Sequence, residues 1–540
     1  MGRAKDNPGS LGSAFLVWLS LLARDNNPED RLVKYWYCCK NHLRYSDHTT
    51  SMARKATTLP LSLPAPPTGA SLYRWLYESL RLAILEGRLH PGARLPATRD
   101  LARTYRLARA TIVAAFEQLK AEGYVEGKIG SGTYVTHVLP ERLLQVGRVR
   151  PEKTLPHRRV VFSSYARRLS PFEASPAGPI RAFRANQPAL DQFPMTLWAQ
   201  VAARRLRRVS AHLLAGGEAL GYRPLRQAVA DYLNTSRGVK CTADQVLILS
   251  GAQEALDRTA RVILNPGDPV WVEEPGYPGA AVVFRALGAR IRGVPVDTEG
   301  LDLEFGIRRW QRARLVYVTP AHQFPLGVTM TLRRRLALLE WARRSGTLIF
   351  EDDYDSEYRY SGRPVPALQG LDRSGVVIFA GSFTAVLFPA LRLGYLVVPL
   401  EMVDIFAAAE SVSTHHPPLL EQAILCDFIT QGHFARHIRR MREMYAERLT
   451  VLLEGARTKL AGVLEISSVE AGLQTVGWLK NGMNAQQAAV EAERRGVETI
   501  PLSRYAAGRA RKDGLVLGFA AVDVRELGRG VEQLAQALRA

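Results

Sequence analysis

Cysteine is scarce, with four in 540 residues. Cys38 and Cys39 are adjacent and Cys241 and Cys426 stand alone, so neither a disulfide framework nor a zinc-ligand spacing exists. Long apolar runs are missing too: no stretch reaches the ~18–20 apolar residues of a membrane span. Internal repeats and low-complexity tracts are absent. Acidic residues are outnumbered, 51 against 72 basic, for a net charge of +21. That balance favours a polyanionic partner. What is present is an ordinary globular mixture, 47% hydrophobic and 23% charged, so a disordered or fibrous chain is excluded. A reduced, cytoplasmic setting is the expectation.

The length predicts several domains. Residues 1–68 read as a poorly ordered extension. The run AFLVWLSLLA at 14–23 has the length of a signal-peptide core, but its basic start is weak and no small-residue cleavage pattern follows. Met52 offers a second start, and a proline-rich stretch at 59–67 leads into ordered sequence. The expected partition is a head at 69–138, a basic linker at 139–180 and a body at 181–540. Within the body, a large part covers about 215–430 and a small part about 431–540. Between 147 and 168 the linker has seven basic residues and one acidic. It is a charged tether or a further phosphate contact.

In the head, Leu72, Trp75, Leu76, Leu80, Ala83 and Ile84 recur at helical spacing. Gly87 ends that helix and Pro91-Gly92 makes a turn. A second helix is predicted at 97–105 and a third at 108–122, closed by Gly123. Short β runs at 124–125 and 133–135 flank GKIGSG. Three helices and a glycine-rich hairpin describe a winged helix-turn-helix. There the third helix enters the major groove of double-stranded DNA. Its first turn holds Ala108, Arg109, Ala110 and Thr111. Arg99 starts the preceding helix, where its fork can reach a phosphate. Lys128 and residues 130–133 form the wing, and Gly132 lets the backbone approach closely. From 71 to 140 the ten basic and six acidic residues leave only +4, so most of the excess charge lies elsewhere.

The stretch EGRLHPGARLPATRDLARTYRLARATIVAAFEQLKAEGYVEGKIGSGTYV, residues 86–135, resembles the GntR family of bacterial regulators almost throughout. The resemblance implies that Arg99, Arg109, Thr111 and Gly132 contact DNA. The family usually has Ser at 108 and often a polar residue at 110, and this chain has Ala at both. One lost hydroxyl–phosphate hydrogen bond costs about 1 kcal/mol.

From about 215, amphipathic helical stretches alternate with short β runs at 246–249, 270–272, 315–318, 348–350, 376–379 and 395–398. Such alternation predicts an α/β body with a mostly parallel sheet. A long helical segment at 433–460 sets Phe434, Ile438, Met441, Tyr445, Leu449 and Leu452 on one face. Ligands of open parallel sheets bind beyond the carboxyl ends of the strands, and polar clusters collect there. They are Ser250-Gly251-Ala252-Gln253, Glu273-Glu274-Pro275-Gly276-Tyr277, Thr319-Pro320-Ala321-His322-Gln323, Glu351-Asp352-Asp353-Tyr354 and Gly381-Ser382-Phe383-Thr384.

These clusters, with GYRPLRQAVADYL, FEDDYDSEYRY and GSFTAVLFPALRLGYLVVP, resemble the fold-type I aminotransferases that use pyridoxal 5'-phosphate. With the head in front, residues from about 70 to 540 resemble the MocR subfamily of GntR regulators. The resemblance implies a homodimer and a set of cofactor roles. Asp352 would face the pyridine nitrogen, Tyr354 the phenolate oxygen and Tyr277 the ring face. The amides of Gly251 and Ala252, at a helix start, would hold the phosphate with Ser382, Thr384 and Arg392. His322 or Gln323 would lie on the phenolate side.

The family pattern at the Schiff-base position is Ser/Thr-Phe-Ser-Lys with an arginine seven residues beyond the lysine. Here Ser382-Phe383-Thr384-Ala385 precedes Arg392, so Ala385 stands in the lysine position. A methyl group is neither an amine nucleophile nor a base. The resulting reading is a ligand-responsive transcription regulator without catalytic residues, its cofactor held non-covalently, alone or as an amine adduct. Two alternatives stay open: an aminotransferase with a DNA-binding appendage, and a constitutive DNA-binding dimer with an empty pocket. On the substrate side, residues 514–519 lack the arginine with which family enzymes often hold a carboxylate, and Gln474 stands where relatives often carry His.

Overall fold

The computed structural model describes residues 63–67, 69, 71–128, 131–137, 161–171, 178–362, 365–467, 469–506 and 512–540. The run at 14–23, Met52, wing residue Gly130 and most of the linker lie outside the described residues. The chain divides into two units, Met1–Arg158 and Arg159–Ala540.

In the first unit, α1 (Leu72–Leu85), α2 (Thr98–Tyr105) and α3 (Arg109–Ala121) enclose one core. Trp75, Leu76, Leu80, Ala83 and Ile84 of α1 meet Leu101 of α2 and Ile112, Ala115, Phe116 and Leu119 of α3. Five of the six residues read at helical spacing form the buried stripe of α1, while Leu72, in its first turn, is exposed. The chain reverses between α2 and α3 at Arg106, whose φ of 54° is left-handed, and the Leu107 N–H donates to the Ala102 carbonyl at 3.0 Å. Strands β1 (Val125–Lys128) and β2 (Gly132–Val135) pair antiparallel, with Val125 opposite Val135 and Lys128 opposite Gly132. β1 runs three residues past the apolar run read in the sequence. Only Val125 of the strand is buried, and ladder hydrogen bonds need no apolar side chain.

The second unit is built on an eight-stranded sheet ordered β3-β10-β9-β8-β7-β4-β5-β6. The strands are β3 (Val246–Leu249), β4 (Pro269–Glu274), β5 (Arg290–Asp297), β6 (Gly300–Leu301), β7 (Leu315–Val318), β8 (Leu348–Asp353), β9 (Val377–Ser382) and β10 (Gly394–Val397). From β9 through β5 all neighbours are parallel, while β10 is antiparallel to both β9 and β3. Both faces are covered. Val270, Val272, Leu315 and Tyr317 enter one core, and Trp271, Val316 and Val318 enter the other. Alternating side chains of an apolar strand thus serve two layers.

Strands β8 and β9 extend three residues beyond the runs at 348–350 and 376–379. Pairing continues through Asp352 with Ala380 and Asp353 with Gly381. Sequence reading stopped where polarity began, so the acidic cluster falls inside the strand. β5 escaped notice because RIRGVPVD lacks an apolar run. A second, antiparallel sheet follows, ordered β11 (Leu464–Ile466), β12 (Gln474–Leu479), β14 (Gly514–Gly518) and β13 (Ile500–Pro501). The long helix spans His433–Lys459 and buries all six residues assigned to its inner face. Within the linker, Ser164–Arg168 is helical and docked on this unit. Arg168 Nε donates to the Ala286 carbonyl at 3.1 Å, and Arg261 lies over the Tyr165 ring. Among the described residues no helix is long and apolar enough to cross a membrane, and no three metal-ligating side chains converge.

Candidate functional site

On the first unit, Arg99 and Arg109 are exposed and Thr111 is half-buried in the first turn of α3. Ala108 is the N-cap of α3 and offers no side-chain hydrogen bond, so the first N–H groups of that helix lack a capping acceptor. Lys128 is exposed at the tip of β1, over the Tyr134 ring and 3.7 Å from Glu126. Gly132 has φ 113°, and a Cβ there would lie 2.9 Å from Arg94 Nε. The wing glycine therefore seats Arg94, an exposed cation that the sequence reading missed. Its signal was the Gly132 position itself, 38 residues away in the chain and close only once the hairpin folds.

On the second unit, the polar clusters gather at the carboxyl end of the large sheet. Gly251, φ 121°, is the N-cap of helix α4 (Ala252–Ile263), and its amide neighbours begin that helix. Only glycine adopts this conformation without strain. Ser382 Oγ and Thr384 Oγ1 stand 3.9 and 4.0 Å from where a Gly251 Cβ would be, and the Thr384 N–H donates to Ser382 Oγ at 3.1 Å. Gln253, one residue into α4, accepts from the Tyr277 hydroxyl at 3.1 Å. Burial raises the Tyr277 pKa, Asp352 raises it further and the Arg392 cation opposes, so both charges lie within its field. Arg392 itself is exposed at a left-handed φ of 50°.

Asp352, at the end of β8, is buried. Its Oδ2 accepts from the Tyr317 hydroxyl at 2.8 Å, and its Oδ1 has no partner among the described residues. Burial pushes its carboxyl up to about 7, Tyr317 pulls it down, and Asp353 and Asp355 raise it further. Beside it, the Tyr354 hydroxyl meets His322 Nδ1 at 2.9 Å, and that nitrogen lies 3.0 Å from Asp355 Oδ1. The EDDYD string was read only as far as Tyr354, so Asp355 and the distant Tyr317 went unnoticed as supports. Between His322 and Gln323, only His322 reaches Tyr354. The Gln323 amide bonds to Glu273 and to the carbonyls of Pro275 and Phe324. Burial likewise holds Glu273 up at about 7, against donation from Thr319 and Gln323.

Ala385 is buried in the turn after β9. The Tyr358 hydroxyl, at 3.0 Å, and His437 Nε2, at 3.1 Å, both bond the neighbouring Val386 carbonyl and hold that turn. Lys240, Lys459, Lys480 and Lys512, the lysines of this unit, are all exposed.

A winged helix-turn-helix joined to an aminotransferase-type α/β unit defines a class: a DNA reader with a metabolic-enzyme scaffold behind it. Residues 72–135 match the family model of bacterial regulatory proteins, gntR family, and residues 182–510 that of aminotransferase class I and II. The Rhizobium meliloti protein named "Probable rhizopine catabolism regulatory protein MocR" is 40% identical over 87% of this chain and 94% of its own length. The Rhodobacter capsulatus HTH-type transcriptional regulator TauR is 31% identical over 88% of this chain and 98% of its own. Among solved structures, LysN, the alpha-aminoadipate aminotransferase of Thermus thermophilus, complexed with N-(5'-phosphopyridoxyl)-L-leucine, aligns at TM-score 0.63. It shows 29% identity over 70% of this chain and 97% of that one. The chain belongs to the MocR-type regulators of the gntR family, DNA-binding transcription factors that carry a class I and II aminotransferase domain.

Proposed function

We propose that the second unit is a dimerising sensor that holds pyridoxal 5'-phosphate without a covalent bond and thereby adjusts the grip of the first unit on an operator. One observation carries this reading: the buried Oδ1 of Asp352 lacks a partner among the described residues, on a carboxyl poised near neutrality. A protonated pyridine nitrogen completes such a group. The surroundings fit the rest of the molecule. The start of α4 at Gly251 and Ala252, with the hydroxyls of Ser382 and Thr384, makes an anion cradle. Arg392 adds positive charge from the rim. Tyr277 covers a ring face, and Tyr354, steadied by His322, donates on the phenolate side.

When bound, the cofactor supplies an electron-withdrawing ring. This chain's residues bind and orient it and go no further. Ala385, in the place of the Schiff-base lysine, has no amine, and every lysine of the unit is exposed. The effector is the cofactor alone or already joined to an amine, and its differential affinity for two arrangements is the switch. Arg99, Arg109, Thr111, Lys128 and Gly132 contact the operator, with Arg94 beside them. The basic linker at 139–180 connects head to body in a cytoplasmic homodimer.

The test adds pyridoxal 5'-phosphate to the purified chain. An induced circular-dichroism band and a raised unfolding temperature are expected, and borohydride should leave the cofactor removable by dialysis. Absence of both the band and the thermal shift refutes binding. A borohydride-trapped link to any side-chain nitrogen, or amino-group exchange between keto acids, refutes the non-catalytic reading.

A further inference from the structure

Between the carboxyl end of the large sheet and the four-stranded sheet lies a cleft of about 940 Å³. Side chains alternate along a strand, so Gln474, Val476 and Trp478 share one face of β12. Val516 stands opposite Val476 on β14. Val476, Val516 and Leu502 form a small buried cluster against which Leu326 and Trp478 pack. Gln474, Thr475, Val476 and Trp478 all line the cleft, which makes β12 one of its walls. Gln474 is 1% exposed, and neither its Oε1 nor its Nε2 has a partner among the described residues. A buried carboxamide with both ends unbonded is rare in a finished core and marks a place completed by something else. Two residues earlier, a Cβ on Gly472 would collide with the His322 ring, so this wall rises directly beside the cofactor-type site.

The charge around the cleft points to the chemistry of its occupant. Glu274, Asp297 and Glu470 line it, against a single exposed lysine, Lys512. Two of those carboxylates are already paired, Glu470 with Arg359 at 2.9 Å and Asp297 with Arg334 at 2.8 Å. No cation faces Gln474 from β14, whose residues are all buried and uncharged. A carboxylate entering here would accept from Nε2 but set an oxygen against Oε1, and Lys512, the one lysine or arginine among the described lining residues, is exposed. A carboxamide satisfies both ends at once, and a hydroxyl donates to one and accepts from the other.

We infer that this cleft receives the far end of an amine effector, and that Gln474 is a specificity-determining residue selecting a neutral donor–acceptor group, a carboxamide or hydroxyl, over a carboxylate. The inference deepens the sensor reading and rests on it only for where the amine end lies. The probes are ω-amino amides of three to five carbons and the matching ω-amino acids, titrated into the full chain with and without pyridoxal 5'-phosphate. The readout is the tryptophan fluorescence change that Trp478→Phe abolishes, together with the unfolding temperature. The amide of at least one pair should bind on the order of tenfold or more tighter than its acid, because a site built to pair both ends of an amide penalises a group that cannot. Gln474→Leu should erase the preference and Gln474→Arg should reverse it, with far-ultraviolet circular dichroism confirming the fold of each variant. Equal affinities throughout in the parent chain, or a preference that survives in folded Gln474→Leu, would overturn the inference. Amide binding that perturbs Trp478 while pyridoxal 5'-phosphate fails to bind would uphold the inference and refute the cofactor reading. Cofactor binding with no amide preference does the opposite.

Discussion

Asp352 is where a single residue's electrostatics can be measured. A free aspartate titrates near ~3.9, whereas burial holds Asp352 at about 7. Between those values the folded chain binds more protons than the unfolded one, so stability falls as pH rises from about 4 to about 7. Glu273, Glu351 and Glu357, also held at about 7 chiefly by burial, act in the same direction. Asp352→Asn should therefore flatten the pH profile of ligand-free protein. At pH 7 it should stabilise the second unit by a few kcal/mol, since each pH unit is worth about 1.4 kcal/mol. It should also abolish the cofactor-induced circular-dichroism band. Urea unfolding at several pH values checks the first effect; an unchanged slope in the variant would mean that this carboxyl is ionised after all. Sequence alone placed Asp352 among strand-end candidates. It could not show the bare Oδ1, which depends on where Tyr317, 35 residues away, puts its hydroxyl.

At the scale of the element, α3 is a reading helix that lacks its cap. Ala108→Ser should supply the missing acceptor and stabilise the head by ~0.5–2 kcal/mol. It should also tighten operator binding through one added hydroxyl–phosphate contact. Arg109→Ala should weaken operator binding and reduce the slope of log affinity against log salt by about 1 if its contact is to a phosphate, with dimer mass unchanged. Fluorescence anisotropy on labelled operator DNA across a salt series measures both variants. Full affinity in Arg109→Ala would rule out the docking of α3 in the major groove. The helices of the head were legible because their apolar stripe is a local pattern. Strand ends were not, because pairing of β8 with β9 carries the ladder through Asp352 and Asp353 regardless of side-chain polarity.

For the molecule as a whole, the proposed dimer needs a surface on which two copies meet. Leu214, Leu400, Ile405 and Val412 are 63%, 69%, 56% and 87% exposed. The stretches that follow Leu214 and Val412 approach each other. A Gly216 Cβ would lie 3.5 Å from His416 Nε2, and one on Gly217 would lie 2.8 Å from Leu419 Cδ1. Ile405 and Val412 stand seven residues apart on the helix Val403–Ser413 and so share a face; exposed apolar side chains grouped in this way mark an association surface, and the proposed dimer is its occupant. Val412→Glu should shift the mass measured by sedimentation towards the monomer. It should also weaken operator binding sharply, since a single head engages one half-site. A dimer of unchanged stability would move the interface elsewhere.

The sequence by itself determined the class of this protein. Helical stripes in the head, apolar strands in the body and a glycine before a helix are properties of neighbouring residues, and local propensity writes them plainly. It also determined the chemistry withheld, because Ala385 has no amine in any fold. Tertiary structure alone decided which polar groups are satisfied. Asp355 steadies His322, Arg94 rests on Gly132, Arg392 stays exposed, and Gln474 lines a cleft with both ends of its buried amide unbonded among the described residues. Each of these depends on chain segments far apart in sequence arriving at one place, and a hydrogen bond between such segments leaves no periodic trace along the chain.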